Sequence, residues 1–384
     1  MSNLAIKSII RSFFPGRRYR NIAQLRSQLP SPEAECIVTF AKVIAADKQY
    51  LYCFSGSMLS KVSALDQKKI WTARIPNLRV IDRHSRFMRI IGRPLRGGIE
   101  GGAAGESTVF FWSRRHLYLV DKNCGEVLKI VELKGRGRPL SALPTLENDK
   151  DTFFFGEYYS NPNKHPVKIF SASEDGLRCH ATFEAGAINH VHNILEWTGG
   201  RKIIFTGDFD GAAGFWILHD GRLKKISLAT QEYRACCGFI EGNKLFYSTD
   251  STSIPNKFRC FDLANLKSQD LGLLPAPSIY SCPCHEGIIF STNLEPDLAT
   301  KASFFKKWLS TSLPSVIHAR EVHLFIASPK GIRKLLTFEP SSLPYRLFRY
   351  PTVVPKFAAG RLAIYCESIC GLSGYTIVVA GVYE

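Results

Sequence analysis

The sequence predicts an all-β protein: a β-propeller of seven blades, with six the neighbouring count, preceded by a short amphipathic helix. Three observations carry that prediction. Seven apolar runs of strand length recur along the chain: Tyr50–Phe54, Thr108–Trp112, Thr152–Phe155, Lys202–Thr206, Lys244–Ser248, Gly287–Thr292 and Arg361–Tyr365. Their start-to-start intervals are 58, 44, 50, 42, 43 and 74 residues, mostly the period of a unit of three or four short strands. Most runs lead into a polar link, a second strand, a turn and a third strand, as in KLFYSTDS, NKFRCFDLAN and SQDLGLL. Strands covered on both faces by neighbouring blades read as short continuous apolar runs. Seven similar units are too many for one β-sandwich.

Residues 1–32 form a basic N-terminal segment with Lys7, Arg11, Arg17, Arg18, Arg20 and Arg26 and no acid. Ile6, Ile9, Ile10, Phe13 and Phe14 share one helical face, and Pro15-Gly16 ends the run. The run is too broken for a secretory signal and too short to span a bilayer. It reads either as a helix lying in an anionic membrane interface or as one docked on the domain. Residues 33–384 form the propeller, with insertions near 74–107 and 293–320. The first holds seven arginines between Arg74 and Arg96 against one acid, Asp82. The second carries the amphipathic stretch Lys301–Leu309.

Composition bounds the function. With 45% hydrophobic and 12% aromatic residues in 384, the chain fills a core and is not disordered. A formal charge of +17 favours acidic partners such as anionic glycans, phospholipid head groups or nucleic acid. The basic runs lack interleaved aromatic platforms, which argues against single-stranded nucleic acid. Eleven cysteines at irregular spacing match neither a disulfide framework nor a zinc pattern, and read as reduced thiols in a reducing compartment. The expected location is cytoplasmic, peripheral to the inner membrane.

Several strands end in polar clusters. Gly156-Glu157-Tyr158 with Asn161-Pro162, His190-Val191-His192-Asn193, Thr206-Gly207-Asp208-Phe209-Asp210, Gln231-Glu232-Tyr233-Arg234, Ser248-Thr249-Asp250-Ser251 and Arg349-Tyr350-Pro351 are the main ones. Together with Gly137-Arg138-Pro139-Leu140, this set resembles the bacterial sialidase-like (BNR, Asp-box) propeller proteins associated with exopolysaccharide and glycan assembly, over roughly residues 35–384. The resemblance implies a propeller in a glycan setting more than a reaction. Ala172–His180 is a degenerate copy of the Asp-box turn, and no arginine triad of a true sialidase can be matched, although Arg234 and Arg349 are plausible members.

Carboxylates that follow successive lead strands would converge at one mouth of a propeller. Glu157 and Asp208 are the candidate catalytic pair, one as acid and the other as nucleophile or base of glycoside cleavage. Tyr158, His190, His192, Asn193, Asp210, Arg234, Asp250 and Arg349 are the candidate ligand-binding residues. The competing reading is that such Asp and Asn residues cap blade turns. No cofactor is expected and no metal is assigned. His190 and His192, two apart on a strand, are the residues that would hold a divalent ion, with Asp208. Three function classes stand: a glycan-recognition propeller serving cell-surface polysaccharide assembly, which is preferred; a glycan-cleaving or glycan-modifying enzyme; and a non-catalytic protein-interaction scaffold. Expected partners are a glycan or lipid-linked saccharide, an anionic membrane through residues 1–32, and proteins of polysaccharide assembly.

Overall fold

Every strong apolar run needs a surface on both sides, and the structure supplies it by stacking sheets around an axis. The computed structural model describes residues 23–25, 27–28, 36–39, 41–78, 99–113, 116–133, 137–208, 212–295, 313–341 and 350–380. The apolar face at residues 6–14, most of the arginine-rich stretch, Lys301–Leu309, Asp210 and Arg349 lie outside them.

Among the described residues, the strands form seven four-stranded antiparallel sheets. A first strand, β1 (Cys36–Thr39), precedes blade 1, which is β2 (Lys42–Ala46), β3 (Tyr50–Ser55), β4 (Met58–Ser63) and β5 (Lys69–Arg74). Blade 2 is β6 (Ile99–Ala104), β7 (Thr108–Ser113), β8 (His116–Asp121) and β9 (Val127–Glu132). Blade 3 is β10 (Leu143–Glu147), β11 (Lys150–Gly156), β12 (Val167–Ser173) and β13 (Gly176–Phe183). Blade 4 is β14 (His190–Glu196), β15 (Lys202–Gly207), β16 (Gly214–His219) and β17 (Arg222–Lys225). Blade 5 is β18 (Ala235–Glu241), β19 (Lys244–Thr249), β20 (Asn256–Asp262) and β21 (Ser268–Leu274). Blade 6 is β22 (Ser278–Cys284), β23 (Gly287–Thr292), β24 (Val322–Ser328) and β25 (Gly331–Phe338). Blade 7 is β26 (Thr352–Ala358), β27 (Arg361–Glu367) and β28 (Thr376–Val379), completed by β1 on its outer edge, where Cys36 pairs with Val379 and Thr39 with Thr376.

The expected all-β, seven-bladed propeller with a short N-terminal helix is therefore what the chain forms. The helix is described as one turn at residues 23–25, with Leu25 buried against Phe338, Ile369 and Leu372. Gln28 holds the turn to β25, its Oε1 accepting from Thr337 N–H at 2.7 Å. One detail differs from the sequence reading. The seven apolar runs are not the first strands of their blades but the second: β3, β7, β11, β15, β19, β23 and β27. Second strands sit mid-blade, where both faces are covered, and β7 is buried at all six positions. Across blades 5 and 6 the packing becomes a ladder of stacked rings, Phe246, Phe258, Phe290 and Phe325, with centroids 5.5 to 6.4 Å apart. Outer strands alternate toward solvent, as the pattern of β5 does.

The first insertion is shorter than expected, since residues 99–104 are already the inner strand of blade 2. The second lies inside blade 6, between β23 and β24, and its ends are anchored: Leu294 and Ile317 are buried in the core of blades 6 and 7.

Blades are also stapled by carboxylates. Asp151, at the start of β11, is only 5% exposed. It accepts backbone N–H bonds from Glu106 (2.8 Å), Ser107 (2.7 Å) and Thr108 (2.7 Å), and both hydroxyls at 2.9 Å. Burial alone would raise its carboxyl, but these bonds outweigh burial and hold it below the ordinary value of 3.8. Its stabilisation is therefore complete above that value and is lost as pH falls through the depressed folded value. Asp151→Ala should cost about 3 kcal/mol or more in urea unfolding at pH 7, because several buried donors lose their acceptor. The gap between variant and wild type should shrink as unfolding is repeated toward pH 3. An unchanged gap at both pH values would remove the ionised staple from the account.

Candidate functional site

The inner strands line the central channel, and their backbone is irregular at one recurring place. Register shifts fall between Val43 and Ala45, Ile99 and Gly101, Val191 and Asn193, Ala235 and Cys237, and Ser278 and Tyr280. Ile44, Glu100, His192, Cys236 and Ile279 are thus the extra residues of bulges near the starts of five inner strands. A bulge leaves one residue unpaired and re-aims its side chain. Repeated around a ring, it turns five side chains out of the ordinary pleat at the same level of the channel. Second strands end at that level: His190 pairs with Gly207, Ala235 with Thr249, Ser278 with Thr292, and Thr352 with Glu367.

A mouth cavity of about 190 Å³ opens there, lined among others by Lys42, Glu100, Arg138, Tyr158, Asn293 and Glu367. Trp112, Tyr280 and Tyr350 supply aromatic surface in the same wall. It adjoins a more apolar channel of about 480 Å³ that shares Lys42, Glu100, Trp112 and Tyr280 and reaches His192 and Cys236. Charges in the mouth are balanced in pairs. Arg138 forms an ion pair with Glu100. Lys42 Nζ donates to the Glu100 carbonyl at 2.9 Å and lies 3.7 Å from Glu367 Oε1. Asn293 Nδ2 donates to Glu295 Oε1 at 3.2 Å, which fixes the amide orientation. Asn293 Oδ1 and Thr352 Oγ1, in residues 1% and 3% exposed, take part in no hydrogen bond among the described residues.

Behind this wall runs a buried polar chain. The Tyr158 ring meets His190 edge-on at 4.6 Å. His190 Nε2 lies 2.9 Å from His192 Nε2, and His192 Nδ1 lies 3.2 Å from Cys236 Sγ. Cys236 S–H donates to Asp250 Oδ2 at 3.4 Å, and Arg234 Nη2 approaches the same oxygen at 3.2 Å. His192, Cys236 and Asp250 bring ligand-type atoms within 4.8 Å of one another, the arrangement that could hold a metal ion. Burial pushes His190 down to about 4, with Arg234 adding to the effect, and pushes His192 well below the ordinary histidine range. Burial likewise raises the Cys236 thiol, and raises Asp250 against the pull of Arg234. Asp250 Oδ1 accepts no hydrogen bond among the described residues.

The remaining sequence candidates sit as follows. Glu157 Oε2 accepts from Lys168 N–H at 2.8 Å, and the Glu157 carbonyl accepts from Val191 N–H at 3.0 Å, joining blades 3 and 4. Burial raises the Glu157 carboxyl. Asp208 pairs with Lys164 at 2.8 Å, while its carbonyl accepts from Gln231 Nε2 at 2.7 Å. Asn193 bridges three blades, accepting from Ser141 Oγ at 2.8 Å and donating to the Cys236 carbonyl at 2.9 Å. Tyr158, His190, His192, Arg234 and Asp250 are thus brought together, whereas Glu157 and Asp208 each engage a separate partner. Sequence reasoning missed Lys42, Glu100, Arg138, Cys236, Asn293, Glu295 and Glu367. Asn293 and Glu295 follow a lead strand and Glu367 ends one, so the rule that selected Glu157 would also have found them.

No protein-family model matches the chain, and no curated protein matches it in sequence. Among solved structures it is similar to the Neurospora crassa Pan2 WD40 domain, at 10% identity over 90% of each chain with a TM-score of 0.49. It is similar in the same way to a chain of the Mitotic Checkpoint Complex, at 7% identity over 90% of each chain and a TM-score of 0.49. Nothing in this likeness supports the sialidase-like or Asp-box resemblance, and at these values neither structure bears on function. Among the described residues, no helix is long and apolar enough to cross a membrane.

The two imidazoles fit only because residue 207 has no side chain. A Cβ there would stand 2.1 Å from His192 Nε2 and 2.5 Å from His190 Nε2. Gly207→Ala should destabilise the fold by about 1–3 kcal/mol through overpacking, read by urea unfolding. It should also shift the His190 and His192 ring resonances in the NMR spectrum. Wild-type stability with unmoved rings would contradict this geometry.

Proposed function

We propose that this chain is a non-catalytic interaction propeller whose channel mouth receives a small, hydrogen-bonding group presented by a partner molecule. The observation that carries the proposal is the mouth itself: a concave site of about 190 Å³ with aromatic surface and paired charges, in whose wall Asn293 Oδ1 and Thr352 Oγ1 lie buried without a hydrogen-bond partner among the described residues, so that a ligand would reach them by a small shift of the wall. Concave sites with a few converging polar groups are where small ligands bind. An acceptor such as Asn293 Oδ1 selects a ligand that donates: a hydroxyl, an amide or an amine. The engagement of Glu157 by Lys168 and of Asp208 by Lys164 favours recognition over bond cleavage, since a glycosidase pair needs both carboxylates facing one bond.

Glycan recognition in surface-polysaccharide assembly is the second reading. It is favoured by the combination of Trp112, Tyr158, Tyr280 and Tyr350 with donor and acceptor groups in one wall, a mixture suited to the apolar faces and hydroxyl edges of sugars. In that setting the basic residues 1–32 would hold the propeller against an anionic membrane.

Calorimetric titration of the full chain with neutral and acidic oligosaccharides, and with short peptides bearing hydroxyl, amide or basic side chains, tests both readings. At least one ligand should bind, with affinity falling about tenfold or more, near 1.4 kcal/mol, in Thr352→Val and in Asn293→Leu, and with the melting temperature held. Mass spectrometry should show the ligand unaltered. A converted product would sink the non-catalytic reading, and peptide binding without saccharide binding would sink the glycan reading. Binding indifferent to both substitutions would move the site away from the mouth.

A further inference from the structure

The channel that leads inward from the mouth holds a cation that nothing beside it balances. The channel has a volume of about 480 Å³, and apolar side chains of the inner strands make most of its wall, Ile44, Ala104, Ile194, Phe239 and Val354 among them. Lys356 stands in the same wall, partly buried. It follows Val354 by two residues in β26, and alternate residues of a strand face one side, so both look into the channel. Thr352, which opens β26, belongs to the mouth wall. Four residues at the rise of a strand put Lys356 about 13 Å deeper.

Two lysines line this channel, and they are held differently. Lys42 donates to the Glu100 carbonyl at 2.9 Å and lies 3.7 Å from Glu367 Oε1. The Lys356 ammonium makes no hydrogen bond or ion pair among the described residues. The titratable group that acts on it is Cys282, on the neighbouring inner strand β22. Burial pushes that thiol up to about 12, so at pH 7 it is neutral and supplies no counter-charge. Glu196 also lines the channel, but it is exposed and belongs to blade 4, as far from blade 7 as the ring allows. A charge among apolar walls is costly unless an opposite charge meets it. Burial accordingly lowers the Lys356 amine from its ordinary value. A carboxylate brought by a ligand would reverse that effect by accepting from the ammonium in a charge-assisted pair. The body of such a ligand would be apolar and elongated, because most of the wall between Lys356 and the mouth offers it no polar partner.

We infer that the channel is a second binding site, which takes a monocarboxylate with an unbranched apolar body, such as a medium-chain fatty acid. Its carboxylate sits on Lys356 Nζ and its chain runs past Val354 toward the mouth. The channel volume falls within the ~300–1,000 Å³ of small-ligand pockets, which are likewise mostly apolar with a few placed polar groups. The inference stands apart from whatever the mouth receives, since Asn293 and Thr352 take no part in the channel wall.

The test is calorimetric titration of the full chain, below the micelle-forming concentration, with decanoate and with decanol, which keeps the apolar body and lacks the charge. Decanoate should bind as one equivalent, about tenfold or more tighter than decanol. Lys356→Met keeps the length of the side chain and removes its charge. It should weaken decanoate about tenfold and leave decanol unchanged. Thr352→Val and Asn293→Leu should leave decanoate binding unchanged. Decanoate should also raise the wild-type melting temperature and shift the Lys356 Nζ resonance of ¹⁵N-lysine-labelled protein. No binding of decanoate by the wild type overturns the inference, as does equal affinity for decanoate and decanol. Decanoate affinity kept in Lys356→Met but lost in Thr352→Val would move the carboxylate to the mouth and overturn it as well.

Discussion

A propeller blade has two apolar faces, and only a closed ring covers all of them. That constraint governs this molecule. The ring closes in blade 7, where β1 from the N-terminal part of the chain completes a sheet begun by β26, β27 and β28. Its four residue pairs, Cys36 to Val379 through Thr39 to Thr376, join segments more than 300 residues apart. Side chains tie the same closure: Thr376 Oγ1 donates to the Ala41 carbonyl, and Lys42 pairs with Glu367. Without β1, β28 would present an unpaired edge, and closure would rest on the packing of blade 1 against blade 7 alone, Val43, Leu51 and Cys53 against Ala358, Ala363 and Val378.

Closure also dictates where the chemistry sits. Inner strands converge on the axis, so their side chains must be small, or be turned along the channel. Gly101 and Gly102 meet the first demand: a Cβ on Gly101 would stand 2.5 Å from the Trp112 ring. The bulges at Ile44, Glu100, His192, Cys236 and Ile279 meet the second, re-aiming one side chain per strand at a common level. Of these, Glu100 and Ile279 enter the mouth wall and Ile44, His192 and Cys236 line the deeper channel, while strand ends and connections of several blades supply the rest of the wall.

This explains what was legible in the sequence. Mid-blade strands such as TVFFWS and KIIFTG are buried on both faces, so they read as unbroken apolar runs and gave both the period and the blade count. Inner strands such as IEGGAA and LPTLE carry no such signal, because the channel asks for small, bent and partly polar residues. A reading led by apolar runs passes over them and starts each blade one strand too late. Residues after second strands were legible as rim residues, and Tyr158 and Asp250 do meet His190 and Arg234 near the mouth. Partners supplied by bulges were not, since a register shift leaves no mark in composition. His190 and His192 illustrate the limit: a spacing of two places them on one face, but only the bulge brings their Nε2 atoms to hydrogen-bonding distance.

The chain's formal charge of +17 and the chemistry of its mouth point in different directions. The mouth wall carries Glu100, Glu295 and Glu367 against Lys42 and Arg138, so it holds no excess of positive charge. Basic residues concentrate instead in residues 1–32 and in the arginine-rich stretch between blades 1 and 2. Long-range charge sets encounter rates and surface association, whereas local hydrogen-bond valence sets what is held. The net charge is therefore carried elsewhere in the sequence than by the mouth, whose wall sets three carboxylates against two cations. The polarity of the mouth is decided by the side chains that the blades bring to it, and not by the charge of the whole chain.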